Sequence, residues 1–391
     1  MAVELNAPGK AFSFDPAIVK FLAFPALSLL VVIEVAFGGA WFGAILPTYV
    51  LIVLFADESL GDDMARGSRL RARLLDAYLY TALPLALLVS LFLALHASGT
   101  VPTWIAGPLG AIGFDIDARV AQTELWHLAI GLVGLGLFFG TLVNVAHELI
   151  HRTGNRAAWL NGRWLLAHTL DTGFAIEHIH GHHRYVGTDR DPATARRGEY
   201  VLSFVLRSTI GQVRSAWAHE RNRLQRRGLP VLSRHNVFLR GQLMSVALVA
   251  LVAAVGGWRG IVAFLVAAIL GKVALELVNY VEHYGLARIE GTKVAPHHSW
   301  NCHNRLSSWV LFNLPRHSDH HMVASRPYYD LRTVPDLPSD APVLPMGYLG
   351  CMLVSLVKPA WRALIDPRLA DWDARLATSA EVSAARARSV A

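Results

Sequence analysis

The sequence predicts an all-α integral membrane protein in which six transmembrane helices carry a histidine-rich site at their cytoplasmic ends. Three observations lead there. Hydrophobic residues make up 53% of the 391 positions and charged residues only 17%, with a mean hydropathy of +0.37, too apolar for an ordinary soluble domain. Apolar runs long enough to be membrane helices recur between residues 18 and 281. Histidines gather in three boxes: His147-Glu148-Leu149-Ile150-His151, Glu177-His178-Ile179-His180-Gly181-His182-His183 and His317-Ser318-Asp319-His320-His321.

The first apolar run, 18–37, is interrupted only by Lys20, and 40–56 follows a Gly-Gly turn, so the two predict a helical hairpin. Glu4, Lys10 and Asp15 precede it without a small-residue cleavage pattern, and the first helix is therefore expected to stay in the membrane. A polar stretch, 57–73, carries Arg66, Arg69, Arg71 and Arg73. The third run is 75–96, where Pro84 is tolerable because neighbouring helices repair the lost bond. Residues 97–122 are punctuated by Gly and Pro and hold one arginine, Arg119. The fourth run, 125–146, leads directly into the first box.

Residues 152–240 are polar and rich in arginine, and contain the second box and an amphipathic stretch, 202–224. The last runs are 243–256 and 261–281, with Trp258-Arg259 as a turn; the fifth is short unless part of 237–242 belongs to it. Loop arginine and lysine place 57–73 and 152–240 in the cytoplasm. Both termini, all three boxes and His283 then share that side. The tail has Pro-rich turns and one amphipathic stretch, 346–361, expected along the membrane surface. Without repeats or linkers, 1–391 reads as a single domain: a bundle over 18–283 with the insertion 152–240, and a cytoplasmic part, 286–391, that completes the site.

The net charge of +7 resides in loop arginines rather than in a basic arm with interleaved aromatics, which points to membrane orientation and an acidic partner and not to nucleic acid. Cys302 and Cys351 are far apart and form no CxxC pattern, so a disulfide framework and a thiolate metal site are both unsupported.

Residues three or four apart share a helix face, so each box is expected to aim two or three imidazoles at a common point. With His283 the set is His147, His151, His178, His182, His183, His283, His317, His320 and His321, more nitrogen donors than one ion takes. Two ions are inferred, and iron suits an all-nitrogen site for redox-active metals; no pair of Glu-x-x-His segments marks a carboxylate-bridged centre. Glu148, Glu177, Glu282, Asp319, Asp189 and Asp191 stand ready to accept hydrogen bonds from the outer ring nitrogens, with helix caps or arginine pairs as the alternative. His96, His127, His168, His219 and His235 read as core or interfacial residues, and His180, His297, His298 and His303 receive no role. Taken alone, the first box is also the HExxH of zinc proteases, with Glu148 as general base, which makes a membrane metalloprotease the rival class. A haem electron carrier is a third class that no feature favours.

HELIHR at 147–152, EHIHGHH at 177–183, NYVEHYG at 279–285 and LPRHSDHH at 314–321 resemble the four signatures of the membrane-bound alkane 1-monooxygenases, within the fatty acid desaturase and hydroxylase superfamily. HHSWN at 297–301 and the tail over 328–345 are similar to that family too. The likeness covers roughly the second half of the chain in detail and the first as hydropathy. Ile150, Arg152 and Pro315 depart from the family's usual small residue, lysine and glutamine, and HELIHR is closer to the first box of xylene monooxygenase. The resemblance implies a non-haem diiron enzyme of the cell inner membrane that hydroxylates the terminal methyl of alkanes with O2. It also implies rubredoxin as electron donor, served by an NADH-dependent rubredoxin reductase. Methyl aromatics or other apolar methyl groups remain open as substrates. An apolar substrate is expected to enter from lipid, with Trp41, Phe42, Phe55, Phe138 and Phe139 as possible plugs of its channel.

Overall fold

The computed structural model describes residues 16–65 and 72–390; Glu4, Lys10, Asp15, Arg66, Arg69 and Arg71 lie outside them. Among the described residues the fold is helical, without a strand, and all six apolar runs lie on helices. The main elements are α1 (Ile18–Phe37), α2 (Gly39–Ser59), α3 (Ala72–Ser98), α4 (Leu125–His151), α5 (Arg156–Ala167), α6 (Val201–Arg226) and α7 (Val237–His283). Five of them, α1 to α4 and α7, are long and apolar enough to cross a membrane.

At 47 residues α7 is too long for one crossing, about 70 Å at 1.5 Å per residue against a hydrocarbon core of about 30 Å. Gly257, at φ 56° and ψ −153°, divides it into two legs. Gly38, at φ 64° and ψ −165°, does the same between α1 and α2. Only glycine takes this conformation readily, so the first break falls at the expected Gly-Gly turn, while the second falls at Gly257 and not at Trp258-Arg259, which are helical. The legs run back alongside each other: Gln242 of the first donates to Thr172 and Lys272 of the second reaches Asp171, almost equally far in sequence from Gly257. The Asn236 side chain caps the first leg at the Leu239 amide, so residues 237–242 do lengthen the short fifth run.

α4 packs against α2, α5 and α7, and α3 lies against α7. A second core forms beneath the bundle, where Phe204 of α6 and Tyr280 and Tyr284 near the end of α7 meet Trp300 and the tail. The stretch 346–361 is not the single surface helix that its pattern suggests. Val357 turns to extended backbone and Lys358-Pro359 starts a new helix, giving α8 (Tyr348–Ser355) and α9 (Lys358–Asp371). Trp361 is fully buried against Tyr280 and Tyr284, so much of the apolar face faces protein.

A charged cluster ties the second box to α7. Lys272 reaches Asp171 at 2.6 Å and Glu276 at 2.5 Å, and Gln212 of α6 donates to Glu276 at 2.8 Å. A lone lysine here would be costly in a bilayer; flanked by two carboxylates, it links the segment that opens the second box to the leg that ends in His283. Replacing Lys272 with Met leaves two buried carboxylates without their cation and should destabilise the fold by about 3–5 kcal/mol. Adding Asp171→Asn and Glu276→Gln to that variant should recover much of the loss, read as thermal unfolding in detergent.

Candidate metal centre

The histidines reach the centre from four helical ends. His147 and His151 stand one turn apart at the end of α4, and His283 is the last residue of α7. The second box is helical in an unexpected way: after Phe174–Glu177 the chain widens into a π-turn over His178–His182. Hydrogen bonds that reach to i+5 bring residues five apart into alignment, and π-turns of this kind often mark functional sites. His178 and His183 therefore face each other, with Nε2 atoms 3.0 Å apart, while His182 points elsewhere. In the helix His317–Met322, His317 and His321 turn to one set of rings and His320 to the other.

The nine rings form two groups, each with its nitrogens within 4.8 Å of one another: His147, His151, His178, His183 and His320, and then His182, His283, His317 and His321. The expectation that each box aims at a common point is thus corrected. The first box serves one group only, whereas the second and third divide between the two.

The arrangement fits metal ions better than it fits hydrogen bonds. His183 Nε2 lies 3.0 Å from the Nε2 atoms of both His178 and His320, and His317 Nε2 lies 3.1 Å and 3.0 Å from those of His283 and His321. One proton can bridge only one such pair. The Nε2 atoms of His147 and His151 are buried with no partner at all. Metal–nitrogen bonds of about 2.1 Å at right angles would put adjacent nitrogens about 3.0 Å apart, the spacing found here. Burial first, and neighbouring imidazoles second, hold His178, His183, His317, His320 and His321 far below the usual histidine range, so these rings are neutral donors.

The six carboxylates behave differently from one another. Asp191 accepts from His182 Nδ1 at 2.9 Å, which leaves His182 Nε2 free to bind; Thr194 fixes the same oxygen at 2.6 Å. Burial raises the Asp191 carboxyl, but His182, Thr194 and His283 together outweigh it and the net shift is downward. Glu282 lies 3.3 Å from His317 Nε2 and accepts from the Tyr348 hydroxyl at 3.0 Å. Asp319 meets no imidazole: Arg332 and Arg326 surround it, because its side chain leaves the helix on the side away from the rings. Glu148 is held by Arg152 at 2.9 Å, and Arg152 is held in turn by Asp76. Glu177 is buried with Oε1 unpartnered; burial first and the charge of Asp191 second push its carboxyl well upward. Asp189 is 72% exposed beside Arg388 and stands apart from the rings.

The other histidines fall outside both groups. His96 meets Thr123, His127 accepts from the Glu124 amide, and His168 meets the Trp164 carbonyl. His297 and His298 face Glu381 of a C-terminal helix, the latter at 2.7 Å. His298 Nδ1 accepts from the Ala295 amide, so its Nε2 carries a proton and donates to the carboxylate: a latch rather than a ligand.

An apolar cavity between α2, α4 and α7 ends on these rings. Tyr49, Val53, Leu137, Ala274 and Leu275 line its length, and His147, His178, His317 and Glu282 its inner end, so it touches both groups. None of the five expected plugs lines it. Trp41 and Phe55 are exposed at 54% and 60% on the outer face of α2, and Phe42, Phe138 and Phe139 pack inside the bundle. The aromatic residues that line it are Tyr49, Phe174 and Tyr348. Asn144 and Asn279 also border the cavity; they stand three residues before His147 and four before His283, a helical register that marks them in the sequence.

The fatty acid desaturase family profile matches residues 124–351. Alkane 1-monooxygenase 1 of Pseudomonas aeruginosa is 39% identical over 279 residues, covering 69% of this chain and 70% of the relative. Alkane 1-monooxygenase 1 of Alcanivorax borkumensis is 33% identical across 90% of this chain and 84% of its own. The hydroxylase component of the Pseudomonas putida xylene/toluene monooxygenase is 32% identical across 70% and 74%. The protein is accordingly a multi-pass membrane oxidoreductase of the monooxygenase class. The profile spans all nine histidines, and with matches of this breadth the chain belongs to the fatty acid desaturase family and, within it, to the alkane 1-monooxygenases.

Proposed function

We propose that the protein hydroxylates the terminal methyl group of an alkane at a two-iron centre in the cell inner membrane, with the centre and both termini on the cytoplasmic side. The observation that carries this reading is the apolar cavity that ends on rings of both histidine groups. His147, His151, His178, His183 and His320 would hold one iron, and His182, His283, His317 and His321 the other. Iron bound there supplies the activation of O2 that the imidazoles lack. The balance is hydrocarbon, O2, two electrons and two protons in, alcohol and water out. The chain's own residues do the rest. Val53, Leu137, Ala274 and Leu275 offer the hydrocarbon an apolar wall that excludes water, and they hold one end of it against the rings. Asp191 fixes the tautomer and aim of His182.

The protease alternative loses its base. An HExxH peptidase needs a free glutamate beside the metal-bound water, and Glu148 is tied up by Arg152. The methyl-aromatic reading keeps specific support from the xylene/toluene relative and from the HELIHR form of the first box.

Electrons are proposed to come from rubredoxin, reduced by an NADH-dependent reductase. Arg184, Arg190 and Arg226 stand close to His219 above the second box; burial first, then His180, then these guanidiniums hold His219 below its usual range. Arg221, Arg226 and Arg227 are exposed, whereas Arg223 is committed to Glu220 at 2.7 Å and to the His235 carbonyl at 2.8 Å. An acidic donor would meet the exposed three.

Purified protein should contain about two irons per chain. His283→Ala should lower iron content and hydroxylation while membrane insertion persists; zinc in place of iron, together with peptidase activity, would overturn the assignment. Mass spectrometry of products from alkanes and methyl aromatics tests the substrate class directly. In that assay Tyr49→Ala should shift preference toward longer or bulkier hydrocarbons, and an unchanged profile would remove Tyr49 from the channel wall. Changing Arg221, Arg226 and Arg227 to Gln should slow rubredoxin-dependent turnover and flatten its dependence on ionic strength, since the attraction is screened over about 8 Å at physiological salt. Wild-type rate and salt slope in that variant would instead leave these arginines to anionic lipid.

A further inference from the structure

α6 lies across the ends of the α7 legs. Near its start Phe204 packs on Tyr280 at 5.4 Å between ring centres, and Gln212 donates to Glu276, both at the end of the second leg. Farther along, Trp217 packs on Phe238 at 5.7 Å and Glu220 accepts from the Val237 amide at 2.6 Å, at the start of the first leg. Phe204 and Trp217 are about 20 Å apart along a helix. An element that bridges the beginning of one leg and the end of the other runs across the crossing direction, in the plane of the membrane surface.

The helix shows three faces. Val201, Phe204, Ser208, Gln212 and Ala216 are buried. Leu202, Leu206, Ile210 and Val213 form a stripe at spacings of four, four and three, exposed at 50%, 65%, 43% and 46%. Exposed Ser203 and Arg214 lie beside the stripe. At its start the stripe adjoins a second exposed apolar group: the Tyr200 hydroxyl donates to the Leu356 carbonyl at 3.2 Å, and Leu356 and Val357 are 37% and 57% exposed.

We propose that this stripe, extended by Leu356 and Val357, is a lipid-contact surface that rests in the boundary between headgroups and acyl chains of the leaflet, with Arg214 among the headgroups. Membrane lipid is the occupant because α6 packs on the ends of both apolar legs of α7, through Phe204 on Tyr280 and Trp217 on Phe238. An apolar stripe edged by arginine on a largely polar helix is also the pattern of an interfacial helix. The arrangement has a consequence for the centre. The buried face of α6 carries Gln212 toward Glu276 and Lys272, and Ser215 toward Glu177, so the leaflet sets the depth of the second box.

The test places single cysteines at Leu206, Ile210 and Gln225, each labelled with a fluorophore in the full-length protein in vesicles. The native Cys302 and Cys351 are buried, and the unsubstituted protein serves as the blank. Lipids brominated on their acyl chains should quench the labels at positions 206 and 210 about threefold more than the label at 225, which faces water. Equal quenching at all three positions overturns the proposal. So does disulfide formation between chains in Leu206→Cys without quenching, which would assign the stripe to a second copy.

Discussion

Nine imidazoles have to converge in a place where little water reaches. The structure depends on this constraint more than on any single contact. Burial makes the imidazolium form unfavourable at His178, His183, His317, His320 and His321, and neighbouring rings add repulsion, so these positions hold lone pairs rather than charge. Lone pairs aimed at one another at about 3 Å do not attract. The rings stay in place only because the backbone behind each of them is fastened from outside the cluster.

Those fastenings are polar; some adjoin the rings in sequence and others act from farther along the chain. Ser318, beside His317, donates to the Pro296 carbonyl at 2.6 Å, and its amide donates to Asn301 at 3.0 Å. Asp319, the next residue, is clamped by Arg332 and Arg326. Buried Asp57 accepts from both the amide and the hydroxyl of Ser307, which borders the cavity, at 2.7 Å and 2.5 Å. Glu381 latches the C-terminal helix to the loop that contains Ser299 and Asn301. The tail therefore does structural work for the site although it supplies no further ligand. An enzyme that activates oxygen beside a hydrocarbon needs water kept out and ring positions kept narrow, and this frame serves both needs.

Much of this was legible in the sequence because the signals are strong and local. Apolar length marks membrane helices irrespective of packing, and the two groups consist of eight histidines from the boxes together with the isolated His283, while His180 of the second box joins neither. What stayed hidden depends on winding and rotation. The π-turn over His178–His182 sends His182 away from His178 and His183, and no spacing rule for regular helices anticipates that. Trp41 and Phe55 look like plugs by size, but rotation about the α2 axis turns them outward and turns Tyr49 inward. The 346–361 stretch reads as one amphipathic helix until Val357 breaks it and Trp361 finds a pocket between two tyrosines. Each miss concerns which neighbour a side chain meets, which is a tertiary fact.

The carboxylates show the limit of reading chemistry from adjacency. Six acidic residues lie near the boxes in sequence, yet only Asp191 takes the outer nitrogen of a ring, while Glu148, Asp319 and Asp189 turn to arginines. An all-imidazole set brings no negative charge, so ions held there keep their full positive charge within a low-dielectric site. Charge compensation then has to come from groups that do not bind. Asp191 is buried against His182, and Glu282 is buried beside His317 and also borders the cavity. With Glu148 neutralised by Arg152, the first box is left with its two imidazoles and no free base. That separates this centre from a peptidase that shares the same five-residue pattern: the glutamate between the histidines is paired with Arg152 at the end of α4, and His147 borders a cavity with largely apolar walls.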